Sequence, residues 1–293
     1  MTTERIQQLL EAFDNFDDNY KLAELEEALT LREEITPHLL TILESLVAEP
    51  DLYIDEGHYG NIYASALLSH FREPRAHSLL IRAFSLDRDQ LDSLWGDVTT
   101  ETLPAMLLNT CDGNLAEIEA LVRNPEADEF VRSSAMAAIT FAVVNGLIDR
   151  RQALDFFATL FDRSLADEDS YFWLALANSI EDLEGIELIG EVRALIADDL
   201  IPKWEIAEWF TQDPPQIWLD GSLDKLRDEF ARRLPQTIHD YCSWFGCFCE
   251  PRVSRPGDLF SAAAGVAKAR GMQKNKARKN RKLAKKSKRK NRK

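Results

Sequence analysis

Four side chains able to hold a soft metal crowd into eleven residues near the C-terminal end. His239, Cys242, Cys247 and Cys249 read H-x2-C-x4-C-x-C within the segment HDYCSWFGCFCEP. Thiolates and an imidazole are the donors that tetrahedral zinc takes, so zinc is the one cofactor these residues suggest. Tyr241, Trp244, Phe245 and Phe248 interleave with the sulfurs. That setting equally suits thiols packed as small apolar side chains.

Elsewhere the chemistry is sparser. Asp55, Glu56 and His58 stand together in IDEGHYGN, and His70 and His77 flank REPRA in SHFREPRAH. Such groups invite a metal-dependent enzyme, but no H-E-x-x-H pair accompanies them. The chain has no phosphate-cradling glycine loop and no G-x-S-x-G elbow. The carboxylates of FDNFDDNY, residues 13–20, lack the glycine and terminal glutamate of a calcium loop. A polar turn between helices is expected there, and no catalytic residue is assigned anywhere.

Charge provides a second kind of candidate site. The formal net charge of the 293 residues is −15, yet from Lys268 to the end there are 15 Lys/Arg and no Asp or Glu. The preceding 267 residues therefore carry 20 basic and 50 acidic residues, a balance of −30. The cations at Lys274, Lys276, Arg278, Lys279, Arg281, Lys282, Lys285, Lys286, Lys288, Arg289, Lys290, Arg292 and Lys293 form a phosphate-seeking surface. No aromatic residue follows Phe260, so base stacking and sequence readout are not expected. Dense phosphate is the expected partner, with RNA and the ribosome first and DNA second. The alternative is an acidic partner, either another protein or the chain's own acidic body, which would make the tail autoinhibitory.

The elements that would position these residues are helical. Ile6, Leu9, Leu10 and Phe13 recur on one face, as do Leu22, Leu25, Ala28 and Leu29, and strand-like alternation is scarce. Helix starts are expected at Thr36-Pro37, Pro74 and Pro202, with Asp149 capping one helix and Asp167 or Asp169 another. AEPDLYIDEG and RNPEADE read as polar breaks. The longest apolar run, residues 135–148, suits a buried core helix rather than a membrane span. Trp204, Trp209 and Trp218 could anchor a partner or cement the last hairpin. No secretory signal is visible, and the four cysteines do not make a disulfide framework, so a cytoplasmic protein without a membrane partner is expected.

In EFVRSSAMAAI, residues 129–139, Val131-Arg132 precede Ala135 and Ala138, small residues that let neighbouring helices approach. This resembles the second-helix signature of HEAT repeats. NIYASALLSHF and SYFWLALANSI lie over it with Ile62, Val131 and Phe172 in register, provided one degenerate unit is skipped. Taken whole, residues 1–250 resemble an uncharacterised bacterial family of HEAT-like helical proteins, known only as a domain of unknown function. Some of its members end in a small zinc-binding SEC-C module. Cys247-Phe-Cys249 looks like the first half of that motif, but no Cys or His follows to complete it.

The expected fold is therefore all-α: a HEAT-like α-solenoid of antiparallel hairpins over residues 1–249. A linker with one short helix should follow at 250–270, then a disordered Lys/Arg-rich tail at 271–293. The helical body would engage an as yet unspecified protein partner, and the tail would tether it.

Overall fold

A computed structural model describes residues 2–17, 19–201, 227–228, 231 and 234–244. Its α-helices are α1 (Thr2–Asp14), α2 (Leu22–Thr30), α3 (Arg32–Ala48), α4 (Pro50–Asp55) and α5 (Gly60–His70). Next come α6 (His77–Phe84), α7 (Arg88–Leu94), α8 (Val98–Glu101), α9 (Leu103–Thr110) and α10 (Ala116–Arg123). Then come α11 (Glu129–Val144), α12 (Arg150–Ala158), α13 (Phe172–Asp182) and α14 (Ile189–Ala197). There is no strand among the described residues, so the fold is all-α. Met1–Phe248 forms one compact unit.

Several local signals act as their chemistry requires. Asp87 accepts from the backbone N–H groups of Asp89 and Gln90 at the start of α7, each at 3.0 Å. Asp128 accepts from Phe130 N–H at 2.8 Å at the start of α11. Gln152 accepts the Asp149 N–H at 2.8 Å, the return half of a capping box on α12. α11 ends where Gly146 takes a φ of +72°. The Leu147 N–H then reaches back to Ala142 O at 2.8 Å, satisfying a carbonyl that the helix leaves open.

Other expectations need correction. Pro37 lies inside α3, which begins at Arg32 rather than after Thr36. Ile35 is fully buried with Leu39 and Leu43, and that apolar stripe carries the helix back one turn past the proline. AEPDLYIDEG is not all loop, since Pro50 opens the short helix α4. α13 has Tyr171, rather than Asp167 or Asp169, as its N-cap residue. Its N-terminal cap comes from Glu129, which accepts Tyr171 N–H at 2.6 Å and Ser170 Oγ at 2.8 Å.

Packing follows neighbour order. α5 contacts α3 and α9, α9 contacts α11, and α11 contacts α13, with α6, α10 and α12 alongside them. α9 thus lies between α5 and α11 in this order of contacts. Small buried residues make these approaches possible: Ala66 and Ser69 on α5, Ala135 and Ala138 on α11, and Ala177 and Ser179 on α13. Val131, Ala135 and Ile139 are at most 1% exposed. Arg132 is buried too and only partly answered, since its second terminal guanidinium nitrogen has no hydrogen-bond partner among the described residues. Its guanidinium donates to Val122 O and Leu165 O at 2.8 Å each and lies 3.9 Å from the Phe172 ring centroid. Burial pulls its pKa down to about 10, which still leaves it charged at neutral pH. Gly185, just after α13, leaves no room for a side chain, because a Cβ there would meet Ile180 Cγ2 at 2.6 Å and Leu154 Cδ2 of α12 at 2.9 Å.

Candidate functional site

Several of the residues with chemical potential lie where α1, α2 and α5 meet. A one-turn 3-10 segment, Ile238–Tyr241, returns to this end and packs on α5. Asp240 shapes the segment by accepting from the N–H groups of Gln236 and Thr237 at 2.8 and 2.7 Å.

His239 lands between two residues of the first helical pair. Its Nε2 lies 2.7 Å from Glu26 Oε1, and its Nδ1 lies 2.6 Å from the Tyr20 hydroxyl. A carboxylate can only accept, so Nε2 carries the proton; in the neutral ring the Tyr20 O–H then donates to Nδ1. The fully buried Cys242 thiol lies 4.0 Å from the same hydroxyl. Burial pushes the Cys242 pKa up to about 12, which keeps the sulfur protonated and un-nucleophilic near neutrality. Burial, and then the nearby thiol, raise the Tyr20 phenol as well. Thiol, phenol, imidazole and carboxylate form a chain that holds the returning segment in place.

Of the four candidate zinc ligands, this end brings together His239 and Cys242. Both ring nitrogens and the thiol are engaged with Tyr20 and Glu26. Coordination there would require the ring to release a partner and the thiol to lose its proton. Cys247 and Cys249 lie outside the described residues, as do Trp204, Trp209, Trp218 and all thirteen cations from Lys274 to Lys293. No cluster of three or more His, Cys, Asp or Glu suited to a metal occurs among the described residues.

Tyr241 makes the second anchor. Its hydroxyl accepts from Asn109 Nδ2 at 2.7 Å and shares a hydrogen with Ser69 Oγ at 2.8 Å. The segment is thereby tied to α5 and α9 together. Spacing alone could not reveal these contacts, since the partners lie 132 and 172 residues away.

The histidine-acid groups separate. His58 bridges Asp14 at 2.6 Å and Glu56 at 2.9 Å, and the Asp14 hydrogen bond raises its pKa above the ordinary imidazole value. The other Asp14 oxygen accepts from Tyr59 and Gly60 N–H, each at 3.0 Å, and so caps α5. Asp55 takes no part in this bridge. His77 is buried against Thr110 Oγ1 at 2.9 Å, and desolvation lowers its pKa. His70 is half-buried and lowered by desolvation, and next by the Arg32 charge. The carboxylates of residues 13–17 serve as a cap and, at Asp17, as a 2.7 Å partner for Lys21.

Beside this anchor opens a cavity of about 330 Å³ that sequence reading missed. Phe16 and Tyr59 form one wall, 46% and 43% exposed, with their rings stacked at 4.8 Å. Phe13 and Tyr63, stacked at 5.0 Å, line it more deeply, together with Trp95. Trp244 comes from the returning segment, its indole N–H bonded to Tyr241 O at 3.0 Å. Asp17, Asp92 and Asp97 also line the cavity. The only signal in the sequence was the set of aromatic residues, Phe13, Phe16 and Tyr20, spaced among the polar residues of FDNFDDNY.

No helix among the described residues is long and apolar enough to cross a membrane. The chain is similar to an uncharacterized protein of Chlamydia muridarum, 32% identical over 228 residues, or 76% of this chain and 90% of the relative. An uncharacterized protein of Chlamydia trachomatis is 33% identical over 178 residues, or 60% of this chain and 70% of its own length. No solved structure matches. Residues 4–248 match the family described as "Protein of unknown function (DUF1186)", and the chain belongs to that family.

Proposed function

We propose that this protein is a non-enzymatic interaction scaffold of the cytoplasm, an acidic helical body tethered by a cationic end to RNA-rich assemblies such as the ribosome. The observation that carries this reading is the charge segregation: a balance of −30 over 267 residues, followed by 15 Lys/Arg with no acid among them. Cations at that density release counterions from phosphate, while the body repels the same phosphates and is left to engage a protein. The neighbour order of α3, α5, α9, α11 and α13 supports a HEAT-like solenoid, an architecture that presents long surfaces to partners. The buried Cys242 thiol and the fully engaged ring of His239 weigh against a metal-dependent enzyme at this end.

Affinity purification of the full chain and of a 1–257 truncation, each with and without nuclease, tests the reading. RNA and ribosomal proteins should accompany the full chain, disappear with nuclease and be absent from the truncation. Partners of the body should persist in all four preparations. Identical RNA recovery from both chains would overturn the tether. If neither recovers RNA and the isolated tail instead binds the truncation, the autoinhibitory alternative takes its place.

A further inference from the structure

We infer that the cavity beside Trp244 is a receptor for a cationic side chain, an arginine presented by a partner protein. The inference deepens the protein-binding half of the proposed function and is independent of the RNA half.

Three observations converge on it. The first is exposure. Phe16 and Tyr59 are two of the five large apolar side chains left exposed among the described residues, and these two stack on each other in one cavity. Ring faces carry negative potential and attract a cation laid over them, an attraction that strengthens as water is excluded. Trp244, from a third segment, adds the aromatic type that binds cations best.

The second is charge. One cation already lines the cavity, Lys21, but Asp17 answers it at 2.7 Å. Asp92 and Asp97 line the same cavity, are exposed, and form no ion pair among the described residues. Arg88, one turn before Asp92 on α7, feels the Asp92 charge, but it does not line this cavity, and its guanidinium pairs with Asp128 and lies 4.8 Å from the Phe130 ring centroid. The cavity therefore keeps a net negative charge for an incoming cation.

The third is size. About 330 Å³ lies at the small end of the range for ligand pockets, roughly 300–1,000 Å³, and suits a single side chain. A guanidinium fits this chemistry better than an ammonium. It is planar, less strongly hydrated and able to stack on a ring while forking to a carboxylate.

The probe is a short fluorescein-labelled glycine-serine peptide carrying arginines, titrated into the full chain by fluorescence anisotropy. Its partner is the same peptide with citrulline, which keeps the shape and loses the charge. The titration is repeated in a full-length chain whose Lys/Arg from 274 to 293 are replaced by Gln, so that intrinsic cations do not compete. The arginine peptide should bind at least about tenfold tighter than the citrulline peptide. Tyr59→Ala and Phe16→Ala, both at exposed positions, should each weaken it several-fold with helix content unchanged. Asp92→Asn with Asp97→Asn should weaken it and flatten its salt dependence. Glu33→Gln with Glu34→Gln removes two exposed charges from the start of α3 and should leave binding within about twofold.

Equal binding of the two peptides would overturn the inference. So would equal losses from the Asp92/Asp97 and Glu33/Glu34 pairs, which would reduce the effect to bulk acidity, or binding in neither background. Failure of the peptide assay leaves the purification result untouched, so the cavity and the scaffold reading fall separately.

Discussion

The middle of the body and its N-terminal end are held together by different chemistry. Around α11 the contacts are made by small and aliphatic groups: Val131, Ala135, Ala138, Ile139 and Ala142 are buried between α9, α10 and α13. Several polar groups there bond to backbone, as when Ser134 Oγ donates to Thr99 O at 2.5 Å and Arg132 donates to Val122 O and Leu165 O at 2.8 Å each. At the N-terminal end the contacts are made by a phenol, an imidazole, a thiol and carboxylates. One of them joins Tyr20 to His239 across 219 residues of sequence. A helix with neighbours on several sides can rely on close packing alone. A terminal helix pair lacks a next neighbour, and here a returning segment supplies one through directed hydrogen bonds.

The largest expected effect lies in the middle. Val131→Asp puts an unpaired charge at a fully buried site among apolar groups. It should cost about 3–5 kcal/mol in urea unfolding. A loss below about 1 kcal/mol would mean that α11 is not the packed element described.

At the N-terminal end a smaller and more local loss is expected. Tyr241→Phe keeps the ring but removes the hydroxyl that Asn109 and Ser69 share. Two inward-facing polar groups lose a partner, at a cost of about 1–3 kcal/mol. Hydrogen exchange should accelerate around Ile238–Tyr241 and the start of α2 while α11 and α13 stay protected. Uniform acceleration across all helices would show that the two regions are not distinct.

The smallest effect is a difference of sign between two histidines. His58, at the end, has its pKa raised by Asp14. Its stabilisation is full below the unfolded value of about 6.5 and is lost as pH rises through the folded value. His77, between α6 and α9, has its pKa lowered by burial. The unfolded chain then binds the proton that the folded chain refuses, so its contribution is lost as pH falls below about 6.5. His58→Gln should make stability climb more steeply with pH between about 5.5 and 7.5, and His77→Asn should flatten that climb. Identical pH slopes in the wild type and both variants would contradict these assignments.

This contrast also sets what could be read in advance. Val131, Ala135 and Ile139 announce their burial by spacing alone, because a helix repeats its face every three or four residues. Asp149 signals a local boundary for an equally local reason. Pro37 misleads, since a proline in a sequence suggests the first turn, while the buried stripe containing Ile35 extends the helix upstream of it. Glu129 capping α13 and Asp14 capping α5 are 42 and 45 residues from the N–H groups they serve. No local pattern carries such pairings. The cavity is the extreme case, because Phe16, Tyr59 and Trp244 come from three separate segments. Zinc was suggested by composition within one short stretch, and half of that stretch, Cys247 and Cys249, lies outside the described residues.

The tether is the central claim, and the salt dependence of RNA binding tests it most directly. Full-length protein titrated with a structured RNA at a series of salt concentrations gives the slope of log K against log salt. If about eight of the cations between Lys268 and Lys293 contact phosphate together, that slope should be about −6 to −7. The chain with Lys/Arg from 274 to 293 replaced by Gln should not bind at any of the concentrations. Equal affinity in the two chains, or a slope near zero in the full-length protein, would contradict the tether.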